Sequence, residues 1–423
     1  MPIKNYEHGC STTQALATLG KVEGVIPLMH GPQTCIYQNQ MSTLYCRPAH
    51  LITAGTSVSK SEVIFGGDET LKEQIRNVYA KHKPRIIVVI NTCIPQLNGD
   101  DVEGVIFEME REIPGLRITT LNTGFNYTNA MLRGSDASWV AILQALDKDT
   151  ETDPGSIGLI GRSGQDADNM GAIDVLLRKA GLKTHLFPAT HLDEMSKITQ
   201  AEHIYPIHLG SYATSRYLQD EFDRDVEFIE IPSSVAGTSR FFRAVADREN
   251  CQALHDLVDQ EEARVLPELA KLQQQFAKDK VRMLLVSGPA NEMSMGKIVA
   301  ELGAEVYVVP SMKDKFYKQE RAIMEEHYGV NFIDEDFDTL DDLIGEIQPT
   351  VIANEFQAQP ESSAHLIPSF CIFFYLADYG YDYALNLGHN FSNMTGPAVW
   401  KHWRDMNQRF GLGNKTVQEQ GVQ

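Results

Sequence analysis

The chain has 423 residues, 43% of them apolar, which is enough for two or three ordinary cores rather than one. Against 37 Lys and Arg stand 57 Asp and Glu, and the formal net charge of −20 argues against nucleic acid as a partner, because a phosphate backbone needs a basic stripe. There is no basic-then-apolar N-terminal signal, and the longest apolar stretch, 369–378, is too short for a bilayer, which takes about 20 apolar residues; the expectation is a cytoplasmic protein with no membrane partner.

Short Val/Ile/Leu runs alternate with amphipathic helical patterns along the whole length. That alternation predicts an α/β fold of three Rossmann-like domains with parallel sheets flanked by helices. In chain order, a first strand is expected at 25–30. A helix at 69–82 follows, capped by Asp68, with Leu71, Ile75, Val78 and Tyr79 on one face and Lys72, Glu73 and Arg76 outward. Strands at 85–91 and 116–121 complete a first domain, 1–150. Residues 147–155 are polar, contain Pro154 and Gly155, and read as a linker. Strands at 156–160, 184–187, 203–208 and 226–231 form a middle domain, 151–275. A charged helical stretch from about 247 to 280 leads to strands at 281–286, 305–309 and 350–353 in a third domain, 276–423, whose helical end runs into a polar tail from 412.

Three cysteines stand out against this frame. Cys10 follows His8-Gly9, Cys35 closes the turn after the strand at 25–30, and Cys93 ends the run that begins at Arg85. Thiols on short glycine-rich or polar turns suit an iron–sulfur cluster, whose sulfides need close approach of the backbone, and this spread does not suit a zinc knuckle. Three ligands leave one position of a four-iron cube open, so the remaining coordination comes from another chain or a non-cysteine group. A cluster at a subunit interface follows. Six cysteines in all are too few for a disulfide scaffold, and Cys46, Cys251 and Cys371 read as structural thiols packing like small hydrophobes. His30 either donates a hydrogen bond toward the cluster or is a satisfied histidine at a strand end.

Two glycine-rich stretches are discounted as nucleotide sites. The run from Gly288 to Lys297 has the wrong spacing for a phosphate loop, and Ile298 stands where Ser or Thr would hold Mg²⁺. Gly158, Gly161 and Gly164 miss the dinucleotide spacing and are expected to permit a tight strand-to-helix turn.

The cysteine separations, 25 and 58 positions, and the segments His30-Gly-Pro-Gln-Thr-Cys35, Val63-Ile-Phe-Gly-Gly67, Asn91-Thr-Cys93 and Asn98-Gly-Asp-Asp101 together resemble the component 1 family of nitrogenase-like reductases, in its β-type subunit. The resemblance implies an α-like catalytic partner in an α2β2 heterotetramer. It implies a P-type iron–sulfur cluster (8Fe-7S) shared between subunits, here through Cys10, Cys35 and Cys93, and an ATP-dependent iron–sulfur reductase, the iron protein, as electron donor. The active-site iron–sulfur cofactor is expected in the partner, because Leu209 stands where α-type subunits carry a cysteine ligand. Thr128 takes the place of a serine that binds the oxidised cluster in true nitrogenase β subunits.

The start close to the first ligand and the Thr128 stretch both depart from dinitrogen-reducing β subunits and suggest a nitrogenase-like enzyme with another substrate; by family resemblance alone, the expected subgroup is the methylthio-alkane reductases, which cleave carbon–sulfur bonds. The alternatives are a true nitrogenase β subunit, a cofactor-maturation scaffold holding a 4Fe-4S cluster, a tetrapyrrole reductase of the same superfamily, and a metal-free ligand-binding α/β protein.

Overall fold

The computed structural model describes residues 10–43, 51–124, 130–148, 150–161, 170–286, 291–334, 337, 339–354, 365, 367–371 and 379–395. His8, Cys46, Thr128, Gly164, residues 287–290 and the tail from 412 lie outside the described residues.

The order of elements begins with α1 (Ser11–Leu19), β1 (Val25–His30), α2 (Gln33–Thr43), β2 (Ala54–Gly55), α3 (Glu62–Phe65), α4 (Asp68–His82), β3 (Ile86–Asn91), α5 (Cys93–Asn98), α6 (Val102–Glu112), β4 (Arg117–Asn122) and α7 (Ala130–Gln144). It continues through β5 (Asp153–Ile160), α8 (Gly171–Lys179), β6 (Lys183–Phe187), α9 (Leu192–Met195), β7 (Ala201–Pro206), α10 (Tyr212–Phe222), β8 (Asp225–Val226), α11 (Val235–Arg248) and α12 (Gln252–Asp279). The last elements are β9 (Arg282–Val286), α13 (Asn291–Glu301), β10 (Glu305–Val309), α14 (Lys315–Tyr328), β11 (Asn331–Phe332), α15 (Leu340–Ile347), β12 (Val351–Asn354), β13 (Ser369–Cys371) and α16 (Tyr381–Thr395).

Among the described residues the strands form three sheets, ordered β2-β1-β3-β4, β6-β5-β7-β8 and β11-β10-β9-β12-β13. Every pairing is parallel. The expected α/β architecture is therefore present. Its cause is visible in β1 and β3, whose residues are all buried: helices cover both faces, so the strands read as unbroken apolar runs.

The chain divides into two compact units. One contains residues between His8 and Asp168 and between Leu182 and Phe228, and carries the first two sheets; the other contains residues between Asn169 and Gly181 and from Ile229 onward, and carries the third. In the first unit, one core runs from Leu16, Leu19, Val88 and Ile90 to Trp139, Phe187 and Ile204, with the Trp139 and Phe187 rings edge to face at 5.5 Å. Behind that sheet, Leu71, Ile75 and Val78 of α4 and Val102, Val105 and Met109 of α6 pack with Ile87 and Val89. In the second unit, Leu340, Leu343, Ile344 and Ile347 of α15 pack with Leu284, Val286 and Ile352.

Several expectations are corrected. The strand expected at 226–231 is only Asp225–Val226, because the N–H of Ile231 bonds to Glu320 Oε2 (3.0 Å) and its carbonyl to the N–H of Ser233 (2.9 Å) rather than to a sheet. Asp68 does not cap α4. It is the helix's first residue, and its Oδ1 accepts the N–H of Asp101 at 3.2 Å. The presumed linker ends in strand, since β5 opens at Asp153 and absorbs Pro154 and Gly155 through a register shift before Ile157. Gly158 sits mid-strand rather than in a turn. A Cβ there would lie 2.6 Å from Ile198 Cδ1 and 3.0 Å from Ile204 Cγ1, so close packing requires the glycine. Strands β2, β11 and β13 are two or three residues long, too short to leave a periodic signal.

Candidate metal-cluster site

Each of the three cysteines occupies the start of a helix. Cys10 is the N-cap residue of α1, extended (φ −96°, ψ 132°), and its carbonyl accepts the N–H of Thr13 at 3.0 Å while its thiol makes no capping bond. Cys35 lies in the first turn of α2, just beyond the buried strand β1, and Cys93 opens α5 directly after β3 and Thr92. Loops at the carboxyl ends of parallel strands are where open α/β sheets present ligands, and β1 and β3 are neighbours with His30 opposite Asn91.

Hydrogen bonds tie these helix starts to one another. The hydroxyl of Thr13 donates to Asn39 Oδ1 at 2.6 Å; Asn39 Nδ2 donates to the Cys35 carbonyl at 2.8 Å and approaches its sulfur at 3.4 Å. The Thr12 and Thr123 hydroxyls meet at 2.7 Å, joining α1 to the end of β4. The Cys35 thiol is pushed up from its ordinary value by burial first and then by the Cys10 and Cys93 thiols, against hydrogen bonds from Thr92 and Asn39. The three sulfurs thus share one electrostatic neighbourhood. Among the described residues no three His, Cys, Asp or Glu side chains are grouped to hold a single metal ion. A multi-iron cluster brings its own sulfides and is spanned by more widely set thiolates than a single ion needs.

The four sequence segments that carried the resemblance meet physically. His30 is buried, its Nε2–H donates to Asp100 Oδ2 at 2.9 Å, and its Nδ1 lies 3.2 Å from Thr56 Oγ1. Burial holds the imidazole below its usual range, against the neighbouring Asp100. Both ring nitrogens are occupied, so His30 is a satisfied strand-end histidine and does not donate toward the thiols. Asp100 Oδ2 also accepts the N–H of Gly67 at 3.0 Å, and Thr92 Oγ1 donates to the His30 carbonyl at 2.7 Å. A Cβ on Gly31 would sit 2.2 Å from Thr92 Oγ1, which that bond holds in place. Gly31→Ala is accordingly expected to destabilise the fold by about 1–3 kcal/mol, as over-packing does; an unchanged denaturation midpoint would contradict this.

Apolar side chains are exposed on the same elements: Ile64 (69%) and Phe65 (86%) on α3, Leu97 (73%) on α5, and Tyr37 and Met41 on α2. Asn39, Thr92 and Asp100 were missed as site residues. Asn39 was detectable as the helical neighbour four positions after Cys35, whereas Asp100 needs the tertiary fold.

Other candidates lie elsewhere. Lys297 is fully buried in α13, with Nζ 2.6 Å from Glu320 Oε1 and 3.2 Å from Glu230 Oε2, so it does not face a phosphate. Cys251 is half-buried at the N-cap of α12, its thiol 3.6 Å from the Ala180 carbonyl, as a structural cysteine. Leu209 is fully buried in the short turn after β7. Among the described residues no helix is long and apolar enough to cross a membrane.

Residues 10–394 match the family model for nitrogenase component 1 type oxidoreductases. The chain belongs to this family. The nitrogenase component 1 match spans nearly the whole chain, from Cys10 into α16. Similar curated proteins include the nitrogenase molybdenum-iron protein beta chain of Clostridium pasteurianum, 24% identical over 75% of this chain and 74% of that protein. The corresponding beta chain of Methanococcus maripaludis is 23% identical over 78% and 77%. The nitrogenase iron-molybdenum cofactor biosynthesis protein NifE of Methanococcus maripaludis is 23% identical over 73% of this chain and 66% of that protein. The solved structure "Nitrogenase Cp1 at pH 6.5" superposes with a TM-score of 0.79 at 18% identity, covering 99% of this chain and 96% of that one, a likeness of fold.

Proposed function

We propose that this nitrogenase component 1 family member is the β-like, electron-relaying subunit of a nitrogenase-like reductase. Cys10, Cys35 and Cys93 would be the thiolates with which it holds its side of a P-type iron–sulfur cluster at the boundary with an α-like catalytic subunit. The supporting observation is the shared neighbourhood of three thiols on three separate helix starts. When bound, such a cluster supplies one-electron transfer between the ATP-dependent iron protein and the catalytic subunit of an α2β2 assembly. The chain's own residues bind and shield: the thiolates supply the negative charge, and Asn39 Nδ2 is placed to donate toward the Cys35 sulfur, a contact that stabilises charge there. The exposed Ile64, Phe65 and Leu97 provide apolar surface for a partner on the same elements. Leu209 offers no ligand atom, which supports the reading that substrate is reduced in the α-like subunit.

For the substrate we favour methylthio-alkanes, in which two electrons and two protons split a carbon–sulfur bond into a thiol and a hydrocarbon. Supplying the purified multi-component system with a methylthio-alkane should release thiol in proportion to ATP consumed; dinitrogen reduction with no thiol release would assign it as a nitrogenase β subunit instead. The similarity to NifE favours a second reading, a maturation scaffold with a 4Fe-4S cluster. Iron counting on the anaerobically purified complex separates them. About eight irons per cluster support the relay and four support the scaffold.

A further inference from the structure

The buried pair His30–Asp100 has no role in that reading, yet it stands between the two cysteine-bearing loops of the first sheet. His30 ends β1, ahead of Cys35, and Asp100 follows the turn that closes α5, which begins at Cys93. The turn is made at Gly99, whose φ of +78° is left-handed and whose N–H returns to the Pro95 carbonyl at 2.9 Å, bringing Asp100 back over the sheet. The Asp100 side chain is 1% exposed and that of His30 is 0% exposed. Asp100 gathers three donors: His30 Nε2–H at 2.9 Å and Gly67 N–H at 3.0 Å on Oδ2, and Asn98 Nδ2 at 2.6 Å on Oδ1. On the other side of the ring, Thr56 Oγ1 lies 3.2 Å from Nδ1 and accepts the N–H of Gly31 at 3.0 Å. A carboxylate only accepts, so Nε2 carries the proton and Nδ1 is left to accept from Thr56. Three segments are thereby fixed to one imidazole–carboxylate pair: the turn before Cys35, the turn after Cys93, and Gly67 behind the exposed Phe65.

The geometry points to His30 and Asp100 as positioning residues that set the spacing of the Cys35 and Cys93 thiols on the cluster. Neither touches a sulfur. Their effect passes through the two loops they join, and satisfied buried networks of this kind hold ligands to sub-ångström placement. The inference rests on the cluster reading above.

The test uses the full chain co-purified with its partner subunit, and reads iron content and the midpoint potential of the cluster by redox titration. Asp100→Ala is expected to lower iron per chain at least twofold and to shift the potential of what remains. Asp100→Asn keeps the shape and can still accept from His30, so its potential and iron content should stay close to native. Should Asp100→Ala fail to fold, Gly67→Ala replaces it: a Cβ there would lie 3.0 Å from His30 Cε1 and 3.2 Å from Asp100 Oδ2, displacing the pair without removing a charge. Native iron and potential in the folded disruptive variant overturn the inference. So does an Asp100→Asn shift as large as that of Asp100→Ala, which would mark a charge effect instead of a positional one. Cys35→Ala run in parallel keeps the two levels apart, because full iron there defeats the cluster reading itself, whereas iron loss there beside a native Asp100→Ala defeats only the positioning.

Discussion

Cys35→Ala is expected to strip at least half the iron from the purified complex and to abolish electron acceptance from the reductase. The Cys10 and Cys93 thiols both act on Cys35, and its sulfur receives the Asn39 contact. On the cluster reading proposed above, alanine removes a thiolate that would bind iron. Cys251→Ala provides the control. Its thiol makes one long contact to the Ala180 carbonyl, so iron and electron transfer should be unaffected and stability should change by about 1 kcal/mol or less. Full iron and activity in Cys35→Ala would refute the assignment of the cluster to these cysteines.

The second large effect is expected at Lys297. Its ammonium is buried, lies within 3.2 Å of Glu230 and 2.6 Å of Glu320, and donates to the Ile231 carbonyl. Burial alone would lower its pKa, but the two carboxylates outweigh that and raise it, so it stays charged; burial in turn pushes Glu320 up. Arg240 binds Glu230 through two hydrogen bonds at 2.8 and 3.1 Å and is a second cation beside the Glu230 and Glu320 carboxylates. Lys297→Met leaves those anions with one partner, and breaking a buried pair costs about 3–5 kcal/mol. For a unit of this size that lowers the melting temperature by on the order of 10 °C. A double replacement, Lys297→Met with Glu320→Gln, should recover part of the loss, since the orphaned charge is then gone. A melting temperature unchanged in the single variant would show that the network contributes nothing to stability.

Much of the fold was legible because parallel strands covered on both faces are written as uninterrupted apolar runs: β1 and β10 fall at the expected residues, and the expected helix face of Leu71, Ile75 and Val78 is buried. Illegible were features decided by distant partners. Asp68 looked like a cap but is drawn to the N–H of Asp101, and the far end of the 226–231 run, at Ile231, bonds to Glu320 and not to a sheet. Gly158 resembled a turn glycine, although the space for its Cβ is taken by Ile198 and Ile204. At the site, cysteine spacing singled out three residues, each of which lies at the start of a helix. Nothing local announced that His30 would turn to Asp100, because that contact closes a 70-residue separation.

Phe65, Ile64 and Leu97 leave most of their surface in water. Produced alone, the polypeptide is therefore expected to adhere to phenyl resin and to self-associate as its concentration rises, and co-expression with the proposed α-like subunit should release it from the column earlier.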